Sequence, residues 1–138
     1  MKQIFHEVIV KTNGPGLYDF TRQAQDFVNK KKLFNGILNI NILHTSASLT
    51  IQENADPDVL KDLQTFYRKL VPMNGDYVHS SEGVDDMPAH IKSTLTNSNL
   101  TLSVLEGVVQ LGIWQGIYLF EHREINKNRT ILVHIFGN

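Results

Sequence analysis

NINILHTSASLTIQENADP, residues 39–57, contains the pattern that decides the fold: an apolar strand, a polar break and a second strand that runs into a helix start. Isoleucine and leucine alternate with asparagine through the strand at 37–44, so they share one face, and His44 lies at the exit of that face. The strand pattern resumes at 48–53. Asp56-Pro57 then predicts a helix N-terminus, because Asp accepts hydrogen bonds from free N–H groups and Pro is tolerated in the first turn.

The rest of the chain alternates between strand-like and helix-like segments, with one long Pro- and Gly-containing loop at 71–88. Antiparallel strands combined with two main helices predict an α+β fold, an antiparallel β-sheet sandwich with those two helices on one face. Residues 1–138 are expected to form a single domain. Beyond the opening stretch, the predicted strands are 3–11, 100–105, 112–121 and 130–136. The predicted helices are 17–30, one that begins after residue 57, and a short one at 88–96. The second of these helices is expected to bury Leu60, Leu63, Phe66, Tyr67 and Leu70.

Composition excludes several classes of protein. The 138 residues include 13 Lys and Arg against 14 Asp and Glu, a formal net charge of -1, so no nucleic-acid partner is indicated. No apolar run approaches the ~18 to 20 residues of a membrane span, so we expect no membrane partner and a cytoplasmic location. The chain has no cysteine, so any metal site must use His, Asp or Glu.

Small polar residues surround His44. Thr45, Ser46 and Ser48 leave space beside the imidazole and supply hydroxyl and backbone N–H groups, which can hold a phosphate or orient a metal-bound imidazole. The alternative is a core histidine that is bonded to a backbone carbonyl beside a turn. A lone histidine does not distinguish the two interpretations.

A second polar cluster begins the short helix at 88–96. Asp85 and Asp86 precede His90 and Lys92, so two carboxylates, an imidazole and an ammonium lie within about two turns of backbone. One carboxylate is enough for an N-cap, which leaves the second for a cation such as Mg²⁺.

Two further polar groups interrupt an apolar strand face. Gln115 and Glu121 share their face of the strand at 113–121 with isoleucine and leucine, and buried polar groups are costly unless they are partnered. His122 is interpreted as part of a solvated strand end. His79 and Glu82, in the long loop, are either ligands or solvent-exposed residues.

Three segments together resemble the signatures of the YjbQ family: HTSASLTIQENADPDV at 44–59, DDMPAHIKSTL at 85–95 and LGIWQGIYLFEHR at 111–123. The resemblance implies an α+β fold, a homotrimer and a polar pocket near a subunit boundary. It places His44, Asp86 and His90 at the centre of that pocket. Together with the arguments from individual residues above, it gives His44, Asp86, His90 and Glu121 as candidate catalytic residues. The candidate substrate-binding residues are Thr45, Ser46, Ser48, Lys92, Gln115 and Arg123. The candidate metal ligands are His44, His90, Asp85 and Asp86.

Some proteins of this family are described as secondary thiamine-phosphate synthases, so the resemblance implies a transferase that joins a hydroxymethylpyrimidine pyrophosphate to a thiazole phosphate and releases pyrophosphate. A divalent metal, Mg²⁺ or Zn²⁺, is the expected cofactor and a phosphorylated small molecule the expected partner. Mg²⁺ on Asp85 or Asp86, with Lys92 and Arg123 nearby, would stabilise the leaving pyrophosphate.

Two other functions fit the same residues. Three imidazoles, from His44, His90 and His79, would form a zinc hydrolase site with Glu121 as general base. The third possibility is a non-catalytic protein that binds a phosphorylated metabolite.

Overall fold

The computed structural model describes residues 1–138 as eight strands and three helices. In chain order these are β1 (Lys2–Asn13), β2 (Gly16–Asp19), α1 (Thr21–Lys31), β3 (Gly36–Ile42), β4 (Ala47–Glu53), α2 (Pro57–Leu70), α3 (Asp86–Leu95), β5 (Asn99–Leu105), β6 (Val108–Val109), β7 (Gln115–Glu121) and β8 (Asn126–Gly137).

The strands form two antiparallel sheets, which confirms the predicted α+β class. The larger sheet has the order β1-β8-β3-β5-β6 and the smaller one the order β2-β7-β4. The start of the first helix was predicted too early, because Leu17 lies in β2 and pairs with Phe120 of β7. The short strands β2 and β6 were not predicted.

The hydrophobic core lies between the two sheets. Residues of β3 and β8 that alternate along each strand face inward from the large sheet, and α1 adds one apolar face. The central strand β7 is buried on both sides, since Ile117 and Leu119 belong to the core while Phe120 packs edge-on against Tyr67 of α2, with ring centroids 5.4 Å apart.

Helix α2 begins as predicted but packs loosely. The Asp56 carboxylate accepts a hydrogen bond from the Asp58 N–H at 2.9 Å, and a proline occupies the first turn. The predicted burial of its apolar face is met only in part: Leu60, Leu63 and Tyr67 are half-buried, but no α2 residue is fully buried and Phe66 and Leu70 are 56% and 53% exposed. The physical reason is that nothing in this chain covers the outer side of α2.

Helix α3 follows a loop and lies against β4 of the small sheet. The Ser93 hydroxyl donates to the Ala47 carbonyl of β4 at 3.0 Å, which fixes one side of the helix. None of the three helices has both the length and the apolar character that a membrane crossing requires.

Candidate functional site

Three potential metal ligands converge at the start of α3. Asp86 and His90 are four residues apart and therefore lie on the same face of the helix, and His79 reaches them from the preceding loop. The Oδ2 atom of Asp86 is 2.7 Å from His79 Nε2 and 3.1 Å from His90 Nε2. The three ligand atoms all lie within 4.8 Å of one another. We call these three residues the His–Asp–His cluster.

The cluster lies at the surface but its carboxylate is buried. The side chains of His79 and His90 are 41% and 30% exposed, whereas that of Asp86 is 2% exposed. Burial alone would raise the pKa of Asp86, but the hydrogen bond from His79 and the charges of His90 and Arg123 lower this pKa below its ordinary value. Asp86 is therefore ionised at neutral pH.

The orientation of His90 is fixed by the backbone carbonyl of Thr45, which lies 2.9 Å from His90 Nδ1. A carbonyl oxygen can only accept, so Nδ1 carries a proton, and in a neutral imidazole the lone pair is then on Nε2. That lone pair faces the ionised Oδ2 of Asp86. Two acceptors at this distance repel each other unless His90 is protonated or a cation lies between them.

Arg123 holds the loop and the helix start together. Its Nε donates to Asp85 Oδ2 at 2.9 Å and its Nη1 donates to Asp86 Oδ1 at 2.6 Å. Asp85 also accepts from the Glu124 N–H at 2.9 Å. Although burial raises the pKa of Asp85, the hydrogen bonds from Glu124 and Arg123 lower it overall. Arg123 thus binds Asp85 and one oxygen of Asp86, and the other Asp86 oxygen faces the two histidines.

The backbone before Asp85 is tightly constrained. Gly83 has φ of +110°, and a Cβ at this position would lie 3.0 Å from Asp85 Oδ1. The positive φ and the close carboxylate both favour glycine here. The turn brings the Glu82 carbonyl within 3.0 Å of Arg123 Nη2.

Glu121 lies in a buried network between the two sheets. It is 0% exposed and accepts two hydrogen bonds from Arg129, at 2.7 and 2.6 Å, and a third from Thr12 at 2.6 Å. The backbone N–H of His122 donates at 3.0 Å, and Arg129 also donates to Ser46. Both carboxylate oxygens are therefore occupied by protein donors, which gives Glu121 a structural role, while its catalytic role stays a prediction.

His44 is bonded to the backbone of β8. Its Nε2 accepts a hydrogen bond from the Thr130 N–H at 2.7 Å, next to the pairing of Leu43 N–H with the Thr130 carbonyl. Burial and the nearby Arg129 lower its pKa, so His44 is neutral at pH 7. The structure brings the Thr45 carbonyl to His90, and His44 is not part of the His–Asp–His cluster.

The side chains of the remaining predicted residues do not join the cluster. Ser48 Oγ is 2.9 Å from His122 Nε2, and Gln115 accepts from the Gly112 N–H at 2.6 Å. The Thr45 side chain is exposed, whereas Lys92 is buried on α3.

Two residues of this region were missed or underrated from the sequence. Arg129 was missed, although the alternation of the strand could have predicted its burial, because it shares the inward face of β8 with Ile131 and Val133. His122 was predicted to be part of a solvated strand end, but it is buried. It follows β7 on the same face as Phe120. Its pKa falls to about 3, because of burial and the nearby charges of Lys92 and Arg129.

The chain is similar to one family over almost its whole length. The family described as UPF0047 protein YjbQ-like matches residues 6–138. A UPF0047 protein of Synechocystis is 45% identical over 131 residues, which cover 94% of this chain and 89% of the relative. The UPF0047 protein YjbQ of Escherichia coli O157:H7 is 48% identical over 102 residues, 74% of each chain.

Solved structures agree with the sequence relationship. A YbjQ-like protein from Sulfolobus solfataricus superposes with a TM-score of 0.91 at 27% identity, covering 99% of both chains. A YjbQ/UPF0047 family protein from Clostridium acetobutylicum has a TM-score of 0.88 at 34% identity and covers 95% of this chain and 99% of its own.

Proposed function

The chain belongs to the YjbQ-like UPF0047 family, and we propose that it is a metal-dependent hydrolase whose metal centre is the His–Asp–His cluster. The single observation that carries this proposal is the convergence of His79 Nε2, Asp86 Oδ2 and His90 Nε2 within 4.8 Å. Two imidazoles and one carboxylate are a ligand set of catalytic zinc sites, which keep a further position open.

The geometry fits a small transition-metal cation. Ligands held about 2.0 to 2.1 Å from tetrahedral zinc are ~3.3 Å from each other, close to the 2.7 and 3.1 Å separations of the cluster. A bound cation would also take the place of the proton that otherwise lies between His90 Nε2 and the Asp86 carboxylate. Nitrogen donors favour Zn²⁺ over Mg²⁺, and Asp85, a predicted Mg²⁺ ligand, is already paired with Arg123.

The protein groups around the cluster have defined tasks in this proposal. The Thr45 carbonyl orients His90, and Arg123 holds Asp86 so that only its Oδ2 faces the histidines. When bound, a divalent cation would lower the pKa of a coordinated water to about 7 and polarise a substrate oxygen. Since His79 and His90 are partly exposed, a substrate can reach this centre from solvent.

A second candidate is the thiamine-phosphate synthase-like transfer that the family resemblance implies. One observation favours it: Lys92, a predicted phosphate-binding residue, is buried without an ion-pair partner. In this reaction a hydroxymethylpyrimidine pyrophosphate would be joined to a thiazole phosphate, and cationic groups would stabilise the departing pyrophosphate.

One assay separates the candidates. The purified protein is stripped with a chelator, reloaded with Zn²⁺, Mn²⁺ or Mg²⁺, and incubated with hydroxymethylpyrimidine pyrophosphate with or without thiazole phosphate, and phosphate and pyrophosphate release are measured. Metal-dependent release without the thiazole phosphate, or turnover of a phosphate or carboxylate ester, supports the hydrolase. Release only when both substrates are present supports the transferase.

The test variant is Asp86→Asn, and the control variant is His6→Ala. Asp86→Asn removes the charged ligand and should abolish metal-dependent turnover, whereas His6, an exposed histidine of β1, should be dispensable. Binding of a phosphorylated metabolite with no turnover under any metal would refute both enzymatic proposals and favour the non-catalytic binding protein.

We also propose that the chain forms a homotrimer. The support is a set of uncovered apolar side chains: Phe66 and Leu70 of α2 and, before β7, Ile113 and Trp114, which are 82% and 60% exposed. Tyr118 and Phe120, the other aromatic residues of this strand, are buried within the chain and cannot contribute. Light scattering at micromolar concentration tests this proposal, which a monomer mass would refute.

A further inference from the structure

A cavity of about 260 Å³ lies between α2, α3 and the end of β7, and none of its lining residues belongs to the His–Asp–His cluster. Its polar wall includes Gln64, Tyr67, Arg68, Lys92, His122 and Glu124. Lys92 follows His90 by two residues, so its side chain leaves α3 about 200° around the helix axis from the cluster. The cavity and the cluster therefore lie on different flanks of one helix.

Lys92 is the unusual residue of this cavity. It is 7% exposed, yet its ammonium group forms no hydrogen bond or ion pair with the protein, although it lines the cavity wall. The ammonium is not sealed inside the protein but meets the cavity space, and lysines are rarely this buried without an anionic partner. Arg68, the second cation of the wall, also has no ion-pair partner.

From this arrangement we propose that the cavity binds an anionic group of the phosphate class, with the Lys92 ammonium as its central contact. Arg68 supplies the second positive charge at the cavity mouth. Tyr67 and Gln64 offer neutral hydrogen-bond donors on the same wall. The size and polarity of the cavity suit a phosphate monoester or a pyrophosphate better than an apolar ligand.

The carboxylates near the cavity do not cancel this charge. Glu121 is already neutralised by Arg129, and Glu124 is the one unpaired carboxylate against the two cations Lys92 and Arg68. His122 completes the wall as a neutral imidazole whose Nε2 bonds to Ser48 and whose Nδ1 has no protein partner. Its Nδ1 can therefore bond to a ligand or to a water that the ligand displaces.

The test is calorimetric titration of inorganic phosphate, pyrophosphate and a sugar phosphate into the wild-type protein and into Lys92→Met. The buffer contains a metal chelator, so that no bound metal contributes to anion binding. We expect one site per chain, weakened at least about tenfold in Lys92→Met and partly in Arg68→Gln. Lys69→Gln, which removes an exposed positive charge from the same helix, should bind like the wild type. The free anions and the ester differ in affinity only if the cavity recognises more than the phosphate group.

Lys92→Met should fold well, because it replaces a largely buried, unpaired lysine side chain with an apolar chain of similar length, and its melting temperature without phosphate should be close to that of the wild type. Unchanged anion affinity in this folded variant, or no binding of any probe to the wild type, would overturn the proposal. Because all of these titrations contain a chelator, the result does not depend on the metal centre.

Discussion

Replacing Glu121 with Gln tests whether this carboxylate is a structural partner or a general base. The side chain keeps its shape but loses the charge that faces Arg129, which is 3% exposed and donates two hydrogen bonds to it. The new amide also directs an NH₂ group toward donors that now have no acceptor, including Thr12.

The expected loss of stability is large. Breaking a buried ion pair by removing one partner costs about 3–5 kcal/mol, because the remaining charge stays buried. With a urea dependence of about 2 kcal/mol per M for a chain of this size, the unfolding midpoint should fall by about 1.5–2.5 M. Both proteins must be compared at one protomer concentration, because the proposed assembly would also contribute to stability.

Asp58→Asn is the matched carboxylate-to-amide control. Its partner Lys61 lies 3.0 Å away in an ion pair whose side chains are 72% and 71% exposed, so the midpoint should move by less than about 0.5 M. If the urea midpoint of Glu121→Gln shifts as little as that of Asp58→Asn while turnover is lost, the structural role is refuted and the general-base hypothesis is restored.

Three further predictions concern charge and assembly. Because the pKa of His122 is lowered to about 3, the unfolded chain takes up a proton near pH 6.5 that the folded chain does not, so unfolding free energy should fall as pH drops from about 6.5 toward 3, and His122→Gln should flatten that decline in urea titrations. Arg123→Gln should lower the unfolding free energy by about 3 kcal/mol or more, because Asp85 and Asp86 lose their buried cation; a chain as stable as the wild type in urea would contradict this. Trp114→Ser should shift the light-scattering mass from trimer toward monomer, and an unchanged trimer would exclude Trp114 from the subunit contact.

Local patterns predicted much of the fold. Alternation marked β3 and β8, and Asp56 capped α2 as its sequence indicated, because these features depend on neighbouring residues. The start of α1 was misjudged because Leu17 has helical spacing but pairs with β7, a contact between residues far apart in sequence. The exposure of α2 could not be predicted, since periodicity identifies an apolar face without showing what covers it.

The candidate site was predictable only in part. Asp86 and His90 share a helix face by their spacing, so their proximity follows from the sequence. His79 joins them through a loop, whose path no periodicity describes. His44 was placed correctly at the exit of a strand, but its bond to Thr130 depends on the neighbouring strand β8.

The central claim is tested most directly by calorimetric titration of Zn²⁺ into the chelator-treated wild type, His79→Ala, His90→Ala and His44→Ala at pH 7.5. We predict one zinc ion per chain, with affinity lowered more than about 100-fold in His79→Ala and His90→Ala and unchanged in His44→Ala. The wild-type affinity should also fall at acidic pH, because histidine must be deprotonated to bind a metal. Wild-type affinity in both His79→Ala and His90→Ala, or loss of binding in His44→Ala alone, would contradict the assignment of the metal centre to the His–Asp–His cluster.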